Sequence, residues 1–364
     1  MMDATREPEY GNGKIKVLVV DDSAFMRILV SDMLNTDPEI EVVSVARNGE
    51  EGVEKVKALA PDVVTMDVEM PKMNGIEAVR HIMKEKPTPV VMLSGITKQN
   101  AEVTLDALAQ GAFDFVTKPS GTLSLDIEKV KEELVSKIKA AYTSNGKTGT
   151  GINRLHVLAQ TSIHTYAHAQ KPVNEGRISK KVVVIGSSTG GPKALAEIFS
   201  ALPQDIPAGM LVVQHMPPYF TKSLAERLDK CSYAHVKEGE AGDMITNNSA
   251  LVAPGDHHMT VNTGKIRLNQ EPPVNAIRPS VDVTMMSVAK TYGYNTIGVL
   301  LTGMGNDGAA GMKTIKEKGG TTIACDEKTS TIFGMPKEAI KLGCVDKIVP
   351  LHKIADEIMR CVVN

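Results

Sequence analysis

Short apolar runs alternate with amphipathic stretches along the first 142 residues of the chain. Runs such as IKVLVV, EVVSVA and PVVML have the length and β-branched content of buried strands, and stretches such as GIEAVRHIMK have helical periodicity. Five such pairs follow one another from residue 15 onward. Repeated β-α units of this kind predict a doubly wound, five-stranded parallel sheet in a first domain over residues 1–142, which includes a short polar N-terminal extension.

The alternation stops after residue 142 and resumes near residue 179. The intervening stretch is polar, has scattered glycines and shows no sustained periodicity, so we expect a flexible linker over residues 143–178. His164 and His168 in this stretch have helical spacing, but structural zinc takes four ligands, so solvated side chains are expected. From KKVVVIG onward a second doubly wound, mainly parallel α/β domain is predicted over residues 179–364, with β-hairpins between Tyr233 and Leu268.

Composition narrows the class of protein. At 364 residues the chain exceeds the ~250 to 300 residues that one hydrophobic core serves, which fits two domains. The 41 basic residues nearly balance 43 acidic ones, so the net charge of -2 gives no long-range attraction to nucleic acid or anionic lipid. The four cysteines are widely spaced, as in a reduced cytoplasmic protein without a zinc cluster or disulfide framework. No apolar run approaches the ~20 residues that cross a bilayer, so no membrane insertion is expected.

Polar side chains stand at the ends of the strands predicted for the first domain. They are Asp21 and Asp22 after the first strand, Asp67 after the third, Ser94 after the fourth and Lys118 after the fifth. The carboxyl ends of parallel strands meet at one edge, so three carboxylates should converge there, and a divalent cation such as magnesium would compensate their repulsion. A hydroxyl and an ammonium beside a nucleophilic aspartate suit phosphoryl transfer. The alternative for Asp21 or Asp22 alone is that it caps the following helix.

This constellation resembles the response-regulator receiver family from residue 15 to about residue 142, including the loop VEMPKMNG that follows Asp67. The resemblance implies a flavodoxin-like fold in which Asp67 accepts a phosphoryl group. It also implies magnesium binding through Asp22, Asp67 and the backbone carbonyl of Glu69, with Asp21 in support.

The same resemblance implies a phosphorylation switch. Ser94 and Phe115 match the hydroxyl and aromatic switch positions of the receiver family, and Lys118 matches its lysine. In that family a histidine kinase donates the phosphoryl group.

The second domain carries a candidate nucleophile at a strand end. Directly after KVVVI the chain reads GSSTGGP, which centres Ser188 in a G-x-S-x-G turn and is followed by a helix N-terminus suited to a developing oxyanion. His215 follows the strand MLVVQ, and Asp307 lies on the turn after TIGVLL. We therefore predict a catalytic triad of Ser188, His215 and Asp307. The alternative, a dinucleotide site, lacks the G-x-G-x-x-G spacing.

Residues 180 to 364 resemble the catalytic domain of the chemotaxis protein-glutamate methylesterases, the CheB family. The motifs that carry the resemblance are GSSTGGP, VVQHMPPYFTKSLAERLD, RPSVDV and LTGMGNDGAAGM. The resemblance implies that the backbone amide of Met304 helps hold the oxyanion, and that Thr189 and Arg278 lie at the cleft. It further implies hydrolysis of glutamate γ-methyl esters, and deamidation of specific glutamines, on methyl-accepting chemotaxis receptors. No cofactor is expected for ester hydrolysis, and the unphosphorylated receiver is expected to obstruct the cleft.

Other functions and other histidines remain as alternatives. A non-enzymatic signalling adaptor and a receiver-linked oxidoreductase are the rival classes, and a transcriptional effector is disfavoured because no basic recognition helix is present. His235, near a predicted edge strand, and His257 and His258, in the hairpin region, are expected to have surface or structural roles.

Overall fold

The computed structural model describes residues 13–119, 124–146 and 176–363. Within this part of the chain, two compact units form around two separate parallel sheets. Residues 1–12 of the predicted N-terminal extension lie outside the described residues. So does most of the predicted linker, with His164 and His168.

The first sheet has five strands, all paired in parallel. In chain order they are β1 (Ile15–Val20), β2 (Ile40–Ala46), β3 (Val63–Asp67), β4 (Val90–Ser94) and β5 (Asp114–Thr117). The helices between and after them are α1 (Ala24–Asn35), α2 (Gly49–Leu59), α3 (Gly75–Glu85), α4 (Lys98–Ala109) and α5 (Ser124–Gly146). The spatial order β2-β1-β3-β4-β5 confirms the predicted parallel sheet and puts its change of direction between β1 and β3.

Local sequence explains where the first helices begin. The side chains of Ser23 and Asn48 accept hydrogen bonds from the backbone amides three residues later, as N-cap residues do. Asn74 and Glu77 form a reciprocal capping box at the start of α3. Strands β3 and β4 are buried along their whole length, as expected for central strands of a parallel sheet.

The second sheet has seven strands in the order β14-β13-β12-β6-β7-β9-β8, and all of its pairings are parallel. Its strands are β6 (Val182–Ser187), β7 (Gly209–Gln214), β8 (His235–Glu238), β9 (Ser249–Val252), β12 (Thr296–Leu300), β13 (Thr321–Cys325) and β14 (Lys347–Val349). The helices are α6 (Gly191–Ala201), α7 (Phe220–Cys231), α8 (Val281–Tyr292), α9 (Ala309–Glu317), α10 (Met335–Lys341) and α11 (Ile354–Val363). The chain leaves β6 first towards β7 and later adds β12 on the other side, so the change of direction lies between β6 and β12.

The prediction of hairpins between Tyr233 and Leu268 was correct for one pair of strands and wrong for another. Strands β10 (His258–Asn262) and β11 (Lys265–Asn269) form a separate antiparallel hairpin. Strands β8 and β9 instead pair in parallel, because β9 inserts between β7 and β8 in the main sheet. Only ten residues, 239–248, connect β8 and β9, which is short for a parallel crossover, and this shortness made a hairpin the natural expectation.

The ends of the predicted linker differ slightly from the structure. Helix α5 continues to Gly146, past the expected boundary at residue 142. On the other side, the backbone carbonyl of Arg177 already accepts a hydrogen bond from the amide of Asn247 at 2.9 Å. None of the helices in the described ranges has the length and apolar composition of a membrane span. All four cysteines carry free thiols.

Candidate active site and phosphate-accepting site

Three aspartates come together at the edge of the first sheet. Asp21 and Asp22 follow β1, and Asp67 ends β3, so they flank the point where the strand order changes direction. One carboxylate oxygen from each lies within 4.8 Å of the others. The ammonium of Lys118 is 2.9 Å from Asp21 Oδ2 and 2.8 Å from Asp67 Oδ2. The predicted convergence of these strand ends is therefore present.

Burial controls the acidity of Asp67. Loss of hydration raises the pKa of this carboxyl group to about 6, although the hydrogen bond and positive charge of Lys118 act in the opposite direction. One ammonium does not balance three neighbouring carboxylates. Hard oxygen ligands with residual negative charge suit magnesium, so the residues present fit the cation that the receiver family implies.

The other residues predicted for this site lie around the three aspartates. Ser94 ends β4 with its side chain fully buried, and its hydroxyl donates to the carbonyl of Gly95 at 3.3 Å. Phe115 is also buried, and the ammonium of Lys137 lies 5.2 Å from the centre of its ring. Glu69 is exposed on the loop that follows Asp67.

In the second unit, Ser188 lies on a tight turn between β6 and α6. Its backbone amide donates to the carbonyl of Thr302 at 2.8 Å, and its own carbonyl accepts from the amide of Gly191 at 2.7 Å. Gly190 has φ +77°, a left-handed conformation that an alanine would adopt only with strain. A Cβ atom on Gly303 would lie 2.7 Å from Ser188 Cβ. Ser188 is partly exposed because small residues surround it.

A buried glutamine holds this turn through hydrogen bonds, and sequence reasoning did not identify it. Gln214 is 2% exposed, and its Oε1 accepts a hydrogen bond from the Ser187 hydroxyl at 2.7 Å. Its Nε2 donates to the carbonyls of Ser188 at 3.0 Å and His215 at 3.3 Å. Gln214 therefore fixes the backbone of both residues that follow β6 and β7. The only sequence signal was a polar residue at the end of an otherwise apolar strand run, MLVVQ.

His215 and Asp307 form a direct pair. The Nε2 atom of His215 lies 2.7 Å from Asp307 Oδ2, with the His215 side chain 11% exposed and the Asp307 side chain 1% exposed. With Nε2 bonded to the carboxylate, Nδ1 is the ring nitrogen left to accept a proton. An aspartate in this position sets the tautomer of the imidazole and stabilises its protonated form.

Asp307 is held by the N-terminus of helix α8. Its carboxylate accepts hydrogen bonds from the Ser280 hydroxyl at 2.8 Å, the Val281 amide at 2.7 Å and the Asp282 amide at 3.0 Å. Burial alone would raise the pKa of Asp307, but the hydrogen bond and charge of His215 and the amides of the helix outweigh it, so this pKa lies below its ordinary value. Asp307 is therefore an ionised, immobilised carboxylate.

Ser188 and His215 are neighbours by strand register. Ser187 pairs with Gln214 at the ends of β6 and β7, so the next residues on the two strands face each other across the ~4.8 Å spacing of a sheet. Among the described contacts there is a His215–Asp307 hydrogen bond but none between the Ser188 hydroxyl and the His215 ring. Catalytic hydrogen bonds are often long or poorly aligned without substrate.

Three further predicted residues occupy different environments. Thr189 is 2% exposed, and its Oγ1 has no partner among the described residues. Met304 lies on the loop between β12 and α9, four residues after the end of β12 and three before Asp307. The guanidinium of Arg278 bonds to Asp256 and donates at 2.9 Å to the carbonyls of Gln270 and Glu271. Arg278 thus anchors the segment that leads into helix α8.

The fold and these two sites are those of a receiver domain joined to an α/β serine hydrolase. The family model described as CheB methylesterase matches residues 183–358, and the response regulator receiver domain matches residues 17–127. The chain belongs to the CheB family of receiver-linked methylesterases.

Relatives match over almost the whole chain. Proteins named protein-glutamate methylesterase/protein-glutamine glutaminase from Pyrococcus horikoshii and Symbiobacterium thermophilum are each 49% identical to it. These alignments cover 96% of this chain, with 94% of the former protein and 97% of the latter. The crystal structure of the Thermotoga maritima CheB methylesterase catalytic domain is 46% identical over 50% of this chain and 99% of its own, with a TM-score of 0.49.

Gly75 allows the backbone to pack closely against Asp67, and this can be tested. A Cβ atom at position 75 would lie 2.1 Å from the carbonyl oxygen of Asp67. We expect Gly75→Ala to destabilise the first unit by about 1–3 kcal/mol, because the backbone must move away, and to slow phosphoryl uptake by Asp67. Urea unfolding and uptake from acetyl phosphate measure the two effects. Gly13→Ala is the control, since among the described residues other than its chain neighbours no atom lies within 4 Å of its Cβ position; equal effects at both positions would contradict the packing explanation.

The packing of Gly191 against Gln214 makes a second prediction. A Cβ atom on Gly191 would lie 1.8 Å from Gln214 Oε1 and 2.8 Å from Ser187 Oγ. Gly191→Ala should therefore lower the free energy of unfolding by about 1–3 kcal/mol. In the double variant with Gln214→Ala the clash is relieved, so the two losses should be less than additive by about 0.5 kcal/mol or more. Urea unfolding of the wild type, both single variants and the double variant measures this coupling, and strictly additive losses would show that the two side chains do not compete for this space.

Proposed function

We propose that the protein is a phosphorylation-regulated protein-glutamate methylesterase, with Ser188 as nucleophile, His215 as general base and Asp307 as the group that orients the base. The observation that carries the proposal is the His215–Asp307 pair at 2.7 Å beside the serine turn. Ser188 and Asp307 lie on the connections that follow β6 and β12, between which the strand order changes direction, and His215 follows the neighbouring strand β7. Open α/β sheets bind ligands at such a point. We assign the regulatory role to residues 1–142 and the hydrolytic role to residues 179–364.

The first half of the reaction forms an acyl-enzyme. Ser188 Oγ attacks the γ-carbonyl carbon of a methylated glutamate while His215 Nδ1 takes the hydroxyl proton. The tetrahedral intermediate collapses, the bond to the methoxy oxygen breaks, and His215 returns the proton so that methanol leaves. Asp307 stays ionised throughout and stabilises the imidazolium.

The developing oxyanion lies near the start of helix α6. The amides at a helix N-terminus carry partial positive charge, and α6 begins at Gly191, three residues after Ser188. The backbone amide of Met304, on the neighbouring loop, is the second donor that we assign, on the basis of the family resemblance. Thr189 lies at the same turn.

Water completes the cycle. His215 removes a proton from a water molecule, the hydroxide attacks the acyl carbon, and Ser188 leaves with its proton restored. The products are a glutamate carboxylate, a proton released to solvent and the regenerated enzyme. The same steps hydrolyse a glutamine side chain with ammonia as the leaving group, which agrees with the glutaminase part of the relatives' names. These steps use the chain's own side chains.

The receiver accepts the regulatory phosphoryl group at Asp67. Asp22, Asp67 and the carbonyl of Glu69 would hold magnesium, with Asp21 in support, and the cation supplies charge neutralisation for the phosphoryl oxygens. Lys118, already within 2.8 Å of Asp67, binds one of those oxygens. Ser94 and Phe115 are the positions at which we expect the side chains to change when Asp67 is phosphorylated.

The partners follow from the family resemblance and the chemistry. Methyl-accepting chemotaxis receptors are the proposed substrate, a chemotaxis histidine kinase is the proposed phosphodonor, and the proposed site of action is the cytoplasm. The close balance of charges gives no reason to add nucleic acid to this set.

Removing the nucleophile separates the two activities. Ser188→Ala should reduce methanol release from a methylated receptor by at least about 10⁴-fold, because the neighbouring hydroxyl residues, Ser187 and Thr189, are buried. Phosphoryl uptake by the receiver should remain at the wild-type rate. Ser200→Ala on helix α6, where the hydroxyl donates to the carbonyl of Glu197 at 2.9 Å, is the matched control. Retained demethylation in Ser188→Ala would remove Ser188 from the mechanism.

Blocking the phosphoacceptor tests the regulation. Asp67→Asn should abolish the stimulation of methanol release by acetyl phosphate, because an amide cannot attack the phosphorus atom. The unstimulated hydrolysis rate should stay within about twofold of the wild-type rate, since the hydrolase residues belong to the other sheet. Asp62→Asn provides a carboxylate-to-amide control directly before the same strand, where the Asp62 side chain accepts a hydrogen bond from the backbone amide of Lys16 at 2.8 Å. A normal response of Asp67→Asn to the phosphodonor would mean that another residue accepts the phosphoryl group.

A further inference from the structure

His258 is a second histidine buried near the hydrolase site, and no step of the reaction uses it directly. It begins strand β10 and is 1% exposed. Both ring nitrogens have partners: Nε2 lies 3.3 Å from the carbonyl oxygen of Pro272, and Nδ1 lies 3.2 Å from the backbone amide of Ser280. A buried polar ring with both nitrogens bonded to backbone groups has a fixed orientation.

The partners also fix the tautomer of His258. A carbonyl can only accept, so Nε2 carries the proton, and an amide can only donate, so Nδ1 must be unprotonated. A cationic ring would direct an N–H group at the N–H group of Ser280. The neutral form with the proton on Nε2 is the one that satisfies both contacts.

Ser280 connects this ring to the triad. It is the N-cap of helix α8, and its side chain accepts a hydrogen bond from the amide of Val283 at 3.4 Å while its hydroxyl donates to Asp307 Oδ1 at 2.8 Å. His258 therefore bonds to the backbone of Ser280, and the side chain of Ser280 bonds to Asp307. The order of contacts is His258, Ser280, Asp307 and His215, which joins the hairpin to the proposed general base.

We propose that His258 is a positioning residue for the triad, acting through Ser280 on Asp307. The proposal rests on the assignment of Asp307 as the partner of the general base. Three of the four donors to the Asp307 carboxylate come from residues 280–282, the first turn of α8, and His258 fixes the start of that turn. Further along, Thr284 Oγ1 donates to the carbonyl of Met259 at 2.7 Å, so the helix and strand β10 are joined at more than one level.

Two substitutions at position 258 separate the contact with the Ser280 amide, which we propose positions the triad, from the contact with the Pro272 carbonyl. In asparagine, Oδ1 stands at the same number of bonds from Cβ as Nδ1 of histidine, so His258→Asn keeps an acceptor for the Ser280 amide. In glutamine, the terminal amide stands at the position of Nε2, so His258→Gln keeps the donor to Pro272 and removes the acceptor. The two variants have similar polarity and differ in which contact survives.

The expected result is a difference in kcat between these variants. Using methanol release from a methylated receptor, we expect His258→Gln to lower kcat by about tenfold or more with little change in KM, because small displacements of a catalytic group are costly. His258→Asn should stay within about threefold of wild type. His257→Gln is the matched control, since the His257 ring bonds to the carbonyl of Gly255 at 3.2 Å and not to Ser280, and it should leave kcat unchanged. Equal losses in the asparagine and glutamine variants, or a larger loss in asparagine, would overturn the proposal.

Folding and substrate assignment are checked separately. Thermal unfolding is measured for every variant. If His258→Gln does not fold, Ser280→Ala and Ser280→Thr test the next contact, between Ser280 and Asp307. We expect Ser280→Ala to lower kcat and Ser280→Thr, which keeps the hydroxyl, to recover it. A Ser280→Thr variant without this recovery would overturn the proposal. If the wild type releases no methanol, the proposed ester substrate is wrong. The rate at which a fluorophosphonate labels Ser188 is then used to compare the same variants. A wild-type protein that the fluorophosphonate does not label would overturn both the triad and the positioning role.

Discussion

A carboxylate removed from water must have its charge compensated, and each of the two sites is organised around such a group. Asp67 has one ammonium partner, Lys118, and burial raises its pKa to about 6. Asp307 has an imidazole, a hydroxyl and two backbone amides, and its pKa lies below the ordinary value despite burial. The difference suits the two roles. Asp67 is incompletely compensated, which favours an incoming cation and a phosphoryl group, whereas Asp307 is fully bonded and keeps a fixed position.

The N-terminus of helix α8 also brings together one strongly and one weakly stabilised carboxylate. Asp282 lies next to the amides that bind Asp307, and its own Oδ1 accepts from the amide of Gly311 at 2.6 Å. Burial and the charge of Asp307 raise the pKa of Asp282 to about 6. Two buried carboxylates at one helix N-terminus cannot both be strongly stabilised as anions. The geometry resolves the competition in favour of Asp307, because it receives both the first amides of α8 and the histidine.

The residues that follow buried strands could be predicted from sequence because a parallel sheet has a fixed polarity. Apolar runs located the strands, so Asp67, Ser188 and His215 were placed at the carboxyl edges by position alone. Gln214, Ser280 and His258 could not be found this way, since their importance lies in hydrogen bonds between segments that are far apart in sequence. A polar residue at the end of an apolar strand, a helix N-cap and a histidine in a hairpin are each common features with ordinary explanations.

The hydrogen bonds from the start of α8 fix the position of Asp307 and also help to lower its pKa, and both effects matter for the reaction. In the proposed reaction His215 Nδ1 takes the proton of Ser188, the hydrogen bond from Nε2 to Asp307 becomes an ion pair, and a carboxylate of ordinary basicity in a buried site would take the Nε2 proton and leave the imidazole neutral. The amides and hydroxyl at the start of α8 stabilise the ionised carboxylate, so the imidazole stays cationic and its Nδ1 proton can be delivered to the methoxy leaving group. A change that loosened the first turn of α8 would therefore shift the orientation of His215 and also weaken the preference that keeps its proton in place.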